Sequence, residues 1–153
     1  MPLPLFDVLP VFKSATFGAS VVNIRVEKLK NRVLPPGDYG DVIVENKASL
    51  VFQGGVYNIR SLRANNEASI TFQGLTELRI QKDFKADNKV TVGPAQGVSL
   101  SASDIMFYVA GGQAQTHEDD VSVSIGEGSM VVGHFYAPYG AIRLKEKADF
   151  YGI

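Results

Sequence analysis

The chain contains no cysteine among its 153 residues and has no excess of charge of either sign. The lack of cysteine excludes disulfide bonds, thiolate metal ligands and thiol catalysis. Because 15 basic and 16 acidic side chains give a formal net charge of −1, the chain has no overall attraction to nucleic acid or to an anionic membrane. We therefore expect no nucleic-acid partner.

Long apolar runs are missing as well. Runs such as Val42-Ile43-Val44 extend over only a few residues, whereas a membrane-spanning helix needs roughly 20, so the sequence predicts no transmembrane segment. The first six residues are apolar but have no basic segment, so they do not match a signal peptide. The length suits one domain with one continuous core.

A segment of about twenty residues recurs along the chain. Residues 42–54 align without a gap to residues 62–74, and both copies contain Ala-Ser followed by Phe-Gln-Gly. A looser copy covers 84–93 at an offset of 22 from Leu62, and 123–133 matches 142–152 at an offset of 19. Recurrence at this period is typical of solenoid proteins.

Apolar residues alternate at period two within each copy, which indicates β-strands. The first copy holds two short strands, at 42–44 and 48–52, separated by a polar corner with Asn46. Asn66 and Asn88 fall at the same place in the next two copies. Asn tolerates the left-handed conformation and can bond nearby backbone, so we expect this column to form the bends.

A unit of this length cannot bury its own apolar face, whereas stacked units can. Equivalent strands would pair in parallel about 4.8 Å apart, with Ala, Leu/Ile and Phe side chains in inward columns. The sequence therefore predicts an all-β, single-stranded, right-handed parallel β-helix with coils of roughly 19–22 residues. An antiparallel sandwich or barrel also suits short strands, but it does not require the same residues to recur every 20 positions.

We predict one domain with four parts: an irregular N-terminal cap at 1–20, coils at 21–110, a protruding polar loop at 111–120 and final coils at 121–153. Open solenoid ends expose apolar core, so Phe6, Phe12 and Phe17 are expected to form a lid over the first coil. The last coil has no evident cap, which suits a homo-oligomer formed through this end.

Four turn motifs stand beside the repeat: Leu34-Pro-Pro-Gly-Asp-Tyr-Gly40, Gly54-Gly-Val-Tyr-Asn58, Phe107-Tyr-Val-Ala-Gly-Gly112 and Phe135-Tyr-Ala-Pro-Tyr-Gly-Ala141. The first, with its two prolines, is predicted to be a turn that cannot continue a central strand. Together the motifs resemble uncharacterised bacterial envelope-associated parallel β-helix domains, similar in outline to the pectate-lyase-like superfamily. The resemblance implies a secreted or cell-surface setting and brings no catalytic residues.

The loop contains the only dense group of metal-ligand types, namely His117, Glu118, Asp119 and Asp120. Carboxylates of one loop can hold Ca²⁺, but the spacing matches neither an EF-hand nor a zinc helix. A solvated acidic loop explains the same residues. We therefore predict no resident metal or cofactor and keep these four residues as the metal candidates.

Aromatic residues suggest a ligand site near the last coils. His134, Tyr136 and Tyr139 are the ligand-binding candidates, since a histidine beside aromatic rings could line a sugar groove. Tyr57 and Phe135 are further candidates for stacking on a sugar. Aromatic residues at strand positions are more often part of the core.

No catalytic motif emerges, so we assign no catalytic residue and do not expect an enzyme. Polysaccharide-acting β-helices use acidic residues with an Arg or Lys on one strand face, and the candidates by type are Asp83, Asp87, Arg60, Arg63, Arg79 and Lys82. The basic members could also form a stripe with Lys85, and Glu45, Asn65 and Asp87 fall at corresponding corners. Nothing in the sequence selects one carboxylate pair.

The sequence thus favours a non-enzymatic structural or adhesive module that is secreted or located at a cell surface. Such a module would bind a glycan or a surface protein through one lateral face. The alternative is a carbohydrate-binding or polysaccharide-degrading β-helix domain.

Overall fold

The computed structural model describes residues 12–18, 21–111, 121–138 and 140–151. Within them the chain forms fifteen β-strands and one short 3-10 helix at Ala102–Asp104. In chain order the strands are β1 (Val22–Val26), β2 (Asn31–Leu34), β3 (Gly37–Val44), β4 (Ser49–Phe52), β5 (Gly55–Ala64), β6 (Ser69–Phe72), β7 (Thr76–Ile80), β8 (Phe84–Ala86), β9 (Thr91–Pro94), β10 (Ile105–Val109), β11 (Val121–Ile125), β12 (Met130–Val132), β13 (His134–Tyr136), β14 (Ala141–Leu144) and β15 (Asp149–Tyr151).

Each strand pairs in parallel with the equivalent strand of the next coil, so the prediction of a parallel β-helix is confirmed. The strands lie on three faces, which we call A, B and C. Strands β3 and β5 are long enough to run across two faces. Face A holds the first halves of β3 and β5 together with β7, β10 and β13. Face B holds the second halves of β3 and β5 together with β1, β8, β11 and β14. Face C holds β2, β4, β6, β9, β12 and β15.

Five coils follow a partial one made by β1 and β2, with coil 1 at β3–β4, coil 2 at β5–β6, coil 3 at β7–β9, coil 4 at β10–β12 and coil 5 at β13–β15. The alignment of the repeat is confirmed by the pairing register, in which Leu62 lies opposite both Val42 and Phe84. Val123 lies opposite Ile142, as the offset of 19 predicts.

The core consists of columns of inward side chains, one layer per coil. On face C, Leu50 and Ile70 stack at 0% exposure. The Phe52 and Phe72 rings lie parallel with centroids 5.4 Å apart, and Phe72 meets Phe107 edge to face at 5.9 Å. The predicted Leu/Ile and Phe columns are therefore confirmed, and their side chains pack one coil against another.

The corner between faces B and C has the same length in every coil: four residues, at 27–30, 45–48, 65–68, 87–90, 126–129 and 145–148. The fourth residue donates its N–H to the carbonyl of the first in five of them, as Ala68 does to Asn65 at 3.1 Å. The third residue has positive φ, as a type II turn requires.

The Asn column acts differently from the prediction. The left-handed residue is the one after each Asn, with φ of 60° at Lys47, 61° at Glu67 and 58° at Lys89. The asparagines link coils instead: the Asn66 side-chain oxygen accepts the N–H of Asn88 at 3.1 Å, and the Asn88 oxygen accepts that of Glu127 at 3.0 Å. A polar ladder thus runs along this corner.

Glu67 offers a test of this turn. Replacing it by glycine is expected to raise the free energy of unfolding by about 0.5–1 kcal/mol, because glycine adopts positive φ without the penalty of a Cβ. Replacing it by valine is expected to lower that free energy by about 1 kcal/mol or more, since β-branched residues tolerate this region least. Urea unfolding at neutral pH measures both, and a valine variant as stable as the glycine variant would contradict the turn geometry.

The segment 34–40 was predicted to be only a turn, and this is wrong for its second half. Strand β3 begins at Gly37, directly after Pro35 and Pro36, and runs on through face A. The prolines are confined to the two positions between β2 and β3, where no ladder hydrogen bond is lost. The Tyr39 hydroxyl donates to the Pro35 carbonyl oxygen at 2.7 Å and fixes the corner.

Residues 12–18, which we call the strap, cross the outside of face A. The Phe12 ring lies 5.9 Å from both Tyr108 and Tyr136, in coils 4 and 5. At the other end of the strap the Gly18 N–H donates to Asp38 of coil 1 at 2.8 Å. Phe12 is therefore at the opposite end of the stack from the first coil, where a lid was predicted. Phe6 is outside the described residues.

In the part of the chain that the structure describes, no helix has the length and apolar character needed to cross a membrane.

Candidate ligand-binding groove on face B

The three faces present different outward side chains. Face A is crossed by the strap. Face C carries small or aliphatic uncharged residues over most of its length: Asn31, Val33, Ser49, Val51, Ser69, Thr71, Thr91, Gly93, Met130 and Val132. Face B carries a column that is mainly basic, made by Arg25, Ile43, Arg63, Lys85, Ser124 and Arg143. Positive charge is thus concentrated on face B.

Two cations of this column lie directly opposite each other on neighbouring strands. Arg63 of β5 pairs in register with Lys85 of β8. Like charges at this spacing repel and destabilise a sheet. Lys85 has a carboxylate partner, since its Nζ lies 3.7 Å from Asp83 Oδ2, whereas Arg63 is exposed and has no ion pair with any described residue. The repulsion is therefore only partly compensated.

A groove of about 320 Å³ opens beside this pair. It is lined by Asp41, Ile43, Ser61, Arg63, Lys82, Asp83 and Lys85. The groove thus combines three cations, two carboxylates, one hydroxyl group and one aliphatic side chain.

One extra residue lies beside the groove, at the corner between faces A and B. In coil 2 two residues separate Ile59 from Leu62, and in coil 3 three residues separate their partners Ile80 and Phe84. The Lys82 N–H donates to the Arg60 carbonyl oxygen at 2.8 Å. An extra residue of this kind bends a strand and redirects a side chain, and here it brings exposed Lys82 to the groove.

The carboxylates of the groove are held by neighbours. Asp41 accepts the hydroxyl of Ser61 at 2.8 Å and lies 3.5 Å from the guanidinium of Arg60. Asp83 is the partner of Lys85. Since both carboxylates are paired while Arg63 and Lys82 are not paired with any described residue, the groove has cationic groups available for a ligand.

The structure brings together four of the basic and acidic candidates, namely Arg63, Lys82, Asp83 and Lys85. Arg60 lies at the border with Asp41. The others are elsewhere: Arg79 is on face A with Glu77, Asp87 and Asn65 are in the B–C corner, and Glu45 binds Arg25.

Sequence reasoning missed Asp41, Ile43 and Ser61. Ile43 precedes Arg63 by one repeat of 20, and Asp41 precedes Ser61 by the same interval. The repeat alignment could therefore have placed these residues beside Arg63, but a search for charged residues alone does not find them.

The predicted aromatic ligand site is in part buried or covered. Tyr57 is 0% exposed and its hydroxyl donates to the Leu34 carbonyl oxygen at 2.7 Å, so its proposed role in sugar stacking is wrong. Phe135 stacks on Phe107 with ring centroids 4.1 Å apart. Tyr136 is half-buried beside Phe12 of the strap, and half-buried His134 starts β13 opposite Met106.

The metal candidates His117, Glu118, Asp119 and Asp120, as well as Tyr139, lie outside the described residues. Among the residues that are described, no three His, Asp or Glu side chains cluster as metal ligands would.

The strap is fastened to face A by an ion pair. Lys13 Nζ lies 3.0 Å from Glu77 Oε1, and the Arg79 Nε–H donates to Glu77 Oε2 at 2.7 Å. Burial raises the pKa of Glu77, but the hydrogen bonds and charges of Lys13 and Arg79 outweigh it and hold this pKa below its ordinary value. Attachment of the strap is thus coupled to the ionised state of Glu77.

This coupling predicts a pH dependence. The pKa of Glu77 is lower in the folded protein than in the unfolded chain. The ionised Glu77 therefore contributes its full share to the free energy of unfolding above the ordinary pKa of about 4.3. This contribution is lost as pH falls through the lower pKa of the folded protein. Lys13→Ala should lower the free energy of unfolding by about 0.5 kcal/mol at neutral pH and by less below about pH 4. Thermal unfolding across this range measures the difference. Lys28→Ala, which removes an exposed lysine from a corner, should show no such acid-dependent change.

Comparison of the chain with protein-family models, curated proteins and solved structures gives no match in any of the three.

Proposed function

We propose that the protein is a non-enzymatic structural or adhesive β-helix module that binds a glycan or protein partner through face B. The observation that carries the proposal is Arg63 set opposite Lys85 beside Lys82, on the most basic face of the stack. The turn motifs, which resemble those of bacterial envelope-associated domains, favour a cell-surface or secreted setting.

The stack supports this role because it holds face B with little freedom to rearrange. The inward neighbours of Arg63 on β5, Leu62 and Ala64, are 0% exposed and lie in register with the adjacent coils. A site that is rigid before binding loses less conformational entropy when a partner arrives. An anionic partner would also relieve the repulsion between Arg63 and Lys85.

A second function, cleavage of a polysaccharide, is favoured by one observation. Asp41 and Asp83 line the same groove, and glycoside hydrolysis uses a pair of carboxyl groups. We place it second because Ser61 and Arg60 hold Asp41 and Lys85 holds Asp83.

Retention on coated beads tests the proposal. The beads carry an acidic polysaccharide, a neutral polysaccharide or an acidic protein, and the supernatant is assayed for new reducing ends. We expect the wild type to be retained on at least one surface without releasing fragments. Arg63→Ser should weaken retention at least about tenfold, the loss of roughly 1.4 kcal/mol expected for a charge-assisted contact.

Thr71→Glu is the matched control, because it lowers the net charge by the same one unit on face C. It should be retained like the wild type. Equal retention of the Arg63 variant, or no retention on any surface, would contradict binding through face B. Release of reducing ends that stops in Asp83→Asn would instead establish the second function.

A further inference from the structure

We infer that two copies of this chain exchange straps, with residues 12–18 of each copy bound to face A of the other. This inference goes beyond the proposed function and does not depend on binding through face B. Three observations carry it: the way in which the strap is held, the place where it joins the stack and an apolar patch beside it.

The strap runs along face A as an extended peptide, from coil 5 to coil 1. Its contacts follow the order of the coils: Phe12 with Tyr108 and Tyr136, Lys13 with Glu77, Thr16 with Asn58 and Gly18 with Asp38. Two of them use the backbone of the strap, since the Thr16 N–H donates to Asn58 Oδ1 at 3.1 Å and the Gly18 N–H donates to Asp38 at 2.8 Å. Face A thus recognises an extended segment of this sequence, whichever copy supplies it.

The strap is held less firmly than the strands of the stack. None of residues 12–18 is buried, and the Lys13 side chain is 48% exposed, whereas the inward side chains of the strands are almost completely enclosed. A segment with few buried apolar contacts opens at a low cost in free energy. The same segment of a second copy can then take its place, since exchange of an identical element makes the same contacts in the pair.

The attachment of the strap determines where the second copy would lie. Only three residues separate Gly18 from Val22, where β1 begins, so the connection reaches at most about 14 Å. Sheets that pack face to face are about 10 Å apart. The connection can therefore cross to a second stack whose face A lies opposite, provided that the first coils of the two stacks are side by side. Face B of each copy would remain open in such a pair.

An apolar patch beside the strap would be covered in this arrangement. Leu75 and Val56 are 71% and 41% exposed, and together with Met106 they line a pocket of about 250 Å³. Glu77 lines the same pocket and binds Lys13, so the patch adjoins the strap directly. Removal of apolar surface from water stabilises association. The pair would therefore bury side chains that the single chain leaves exposed.

Reciprocal charge reversal tests the exchange on the whole chain. In Lys13→Glu, and equally in Glu77→Lys, like charges separate the strap from face A of every identical copy. A mixture of the two variants restores both ion pairs, but only between different chains. One variant is isotopically labelled, so that native mass spectrometry distinguishes mixed pairs from unmixed pairs. We expect mixed pairs to bind at least about tenfold more tightly than unmixed pairs.

A mixture of Lys28→Glu and Glu67→Lys is the matched control. These variants carry the same net charges as the test pair, but the substitutions lie at exposed residues of the corner between faces B and C. The control mixture should form no excess of mixed pairs. Circular dichroism checks that each variant folds. An equal excess of mixed pairs in both mixtures, or no excess in either, would overturn the inference.

Leu75→Ser, added to both test variants, examines the patch without a change of charge. It should weaken the mixed pair at least about tenfold, because the leucine loses the burial that the second copy provides. Met130→Ser removes a 46% exposed side chain from face C and should change the affinity less than about twofold. Equal effects of the two serine variants would exclude the approach of two faces A that the exchange requires, and with it the inference.

Discussion

Phe72→Ala is expected to lower the free energy of unfolding by about 3–5 kcal/mol, the range for deleting a buried aromatic ring. Phe72 is 0% exposed and lies between the rings of Phe52 and Phe107, so its ring joins coils 1, 2 and 4. Truncation would leave a cavity that the coils cannot close, because their spacing is set by backbone hydrogen bonds.

Urea unfolding monitored by circular dichroism measures this loss. Thr71→Ala on the same strand is the control: Thr71 faces outward and is half-buried, so its truncation should cost less than about 0.5 kcal/mol. A Phe72 variant as stable as the Thr71 variant would show that the aromatic column contributes little to the stack.

Gly126→Ala is expected to lower the free energy of unfolding by about 3 kcal/mol, which is in the upper part of the range for overpacking. A Cβ at Gly126 would overlap the carbonyl group of Asp87 and lie 2.8 Å from Asn88 Oδ1. The obstacle is mostly the backbone of the coil below, which cannot rotate away as a side chain can. The Asn ladder would open at the point where Asn88 accepts the N–H of Glu127.

Gly128→Asn tests the same corner where there is room. Gly128 has φ of 71°, and a Cβ there would meet only Lys89 Cγ at 3.5 Å. Asn tolerates positive φ, so this variant should lose less than about 1 kcal/mol in thermal unfolding. Similar losses for both variants would mean that conformation, rather than close contact between coils, decides the requirement for glycine at Gly126.

The repeat made the core predictable. Ala48, Leu50 and Phe52 recur twenty residues later as Ala68, Ile70 and Phe72, and alternation at period two told which side chains point inward. Both signals come from burial, which constrains residue type strongly. The parallel register followed directly, because equivalent residues must stack to bury their apolar groups.

The strands of face A were harder to predict. Prolines and glycines around Gly37 and Gly55 mark turns, yet strands β3 and β5 begin at these residues. The position of the strap also escaped prediction, because its contacts with Glu77 and Tyr108 are separated from it by more than sixty residues. Local pattern carries no information about such contacts.

For the candidate site, the sequence supplied residue types but not their grouping. Arg63 and Lys85 could be placed on one column from the repeat. Lys82 reaches the groove because coil 3 has one extra residue at this corner. The direction in which such a residue turns a side chain depends on the backbone conformation, which the sequence pattern does not specify. Arg79, of the same type as Arg63, instead faces the strap.

The constant corner between faces B and C has a consequence for how such a chain can change. This corner has four residues in every coil, whereas the connections between separate strands at the other two corners range from the single residue Gly133 to the eleven residues 110–120. Residues can therefore be added or removed at these two corners without disturbing the register of the Asn ladder. The extra residue of coil 3 beside the groove shows how a solenoid of this kind can change its surface while the register of its core stays the same.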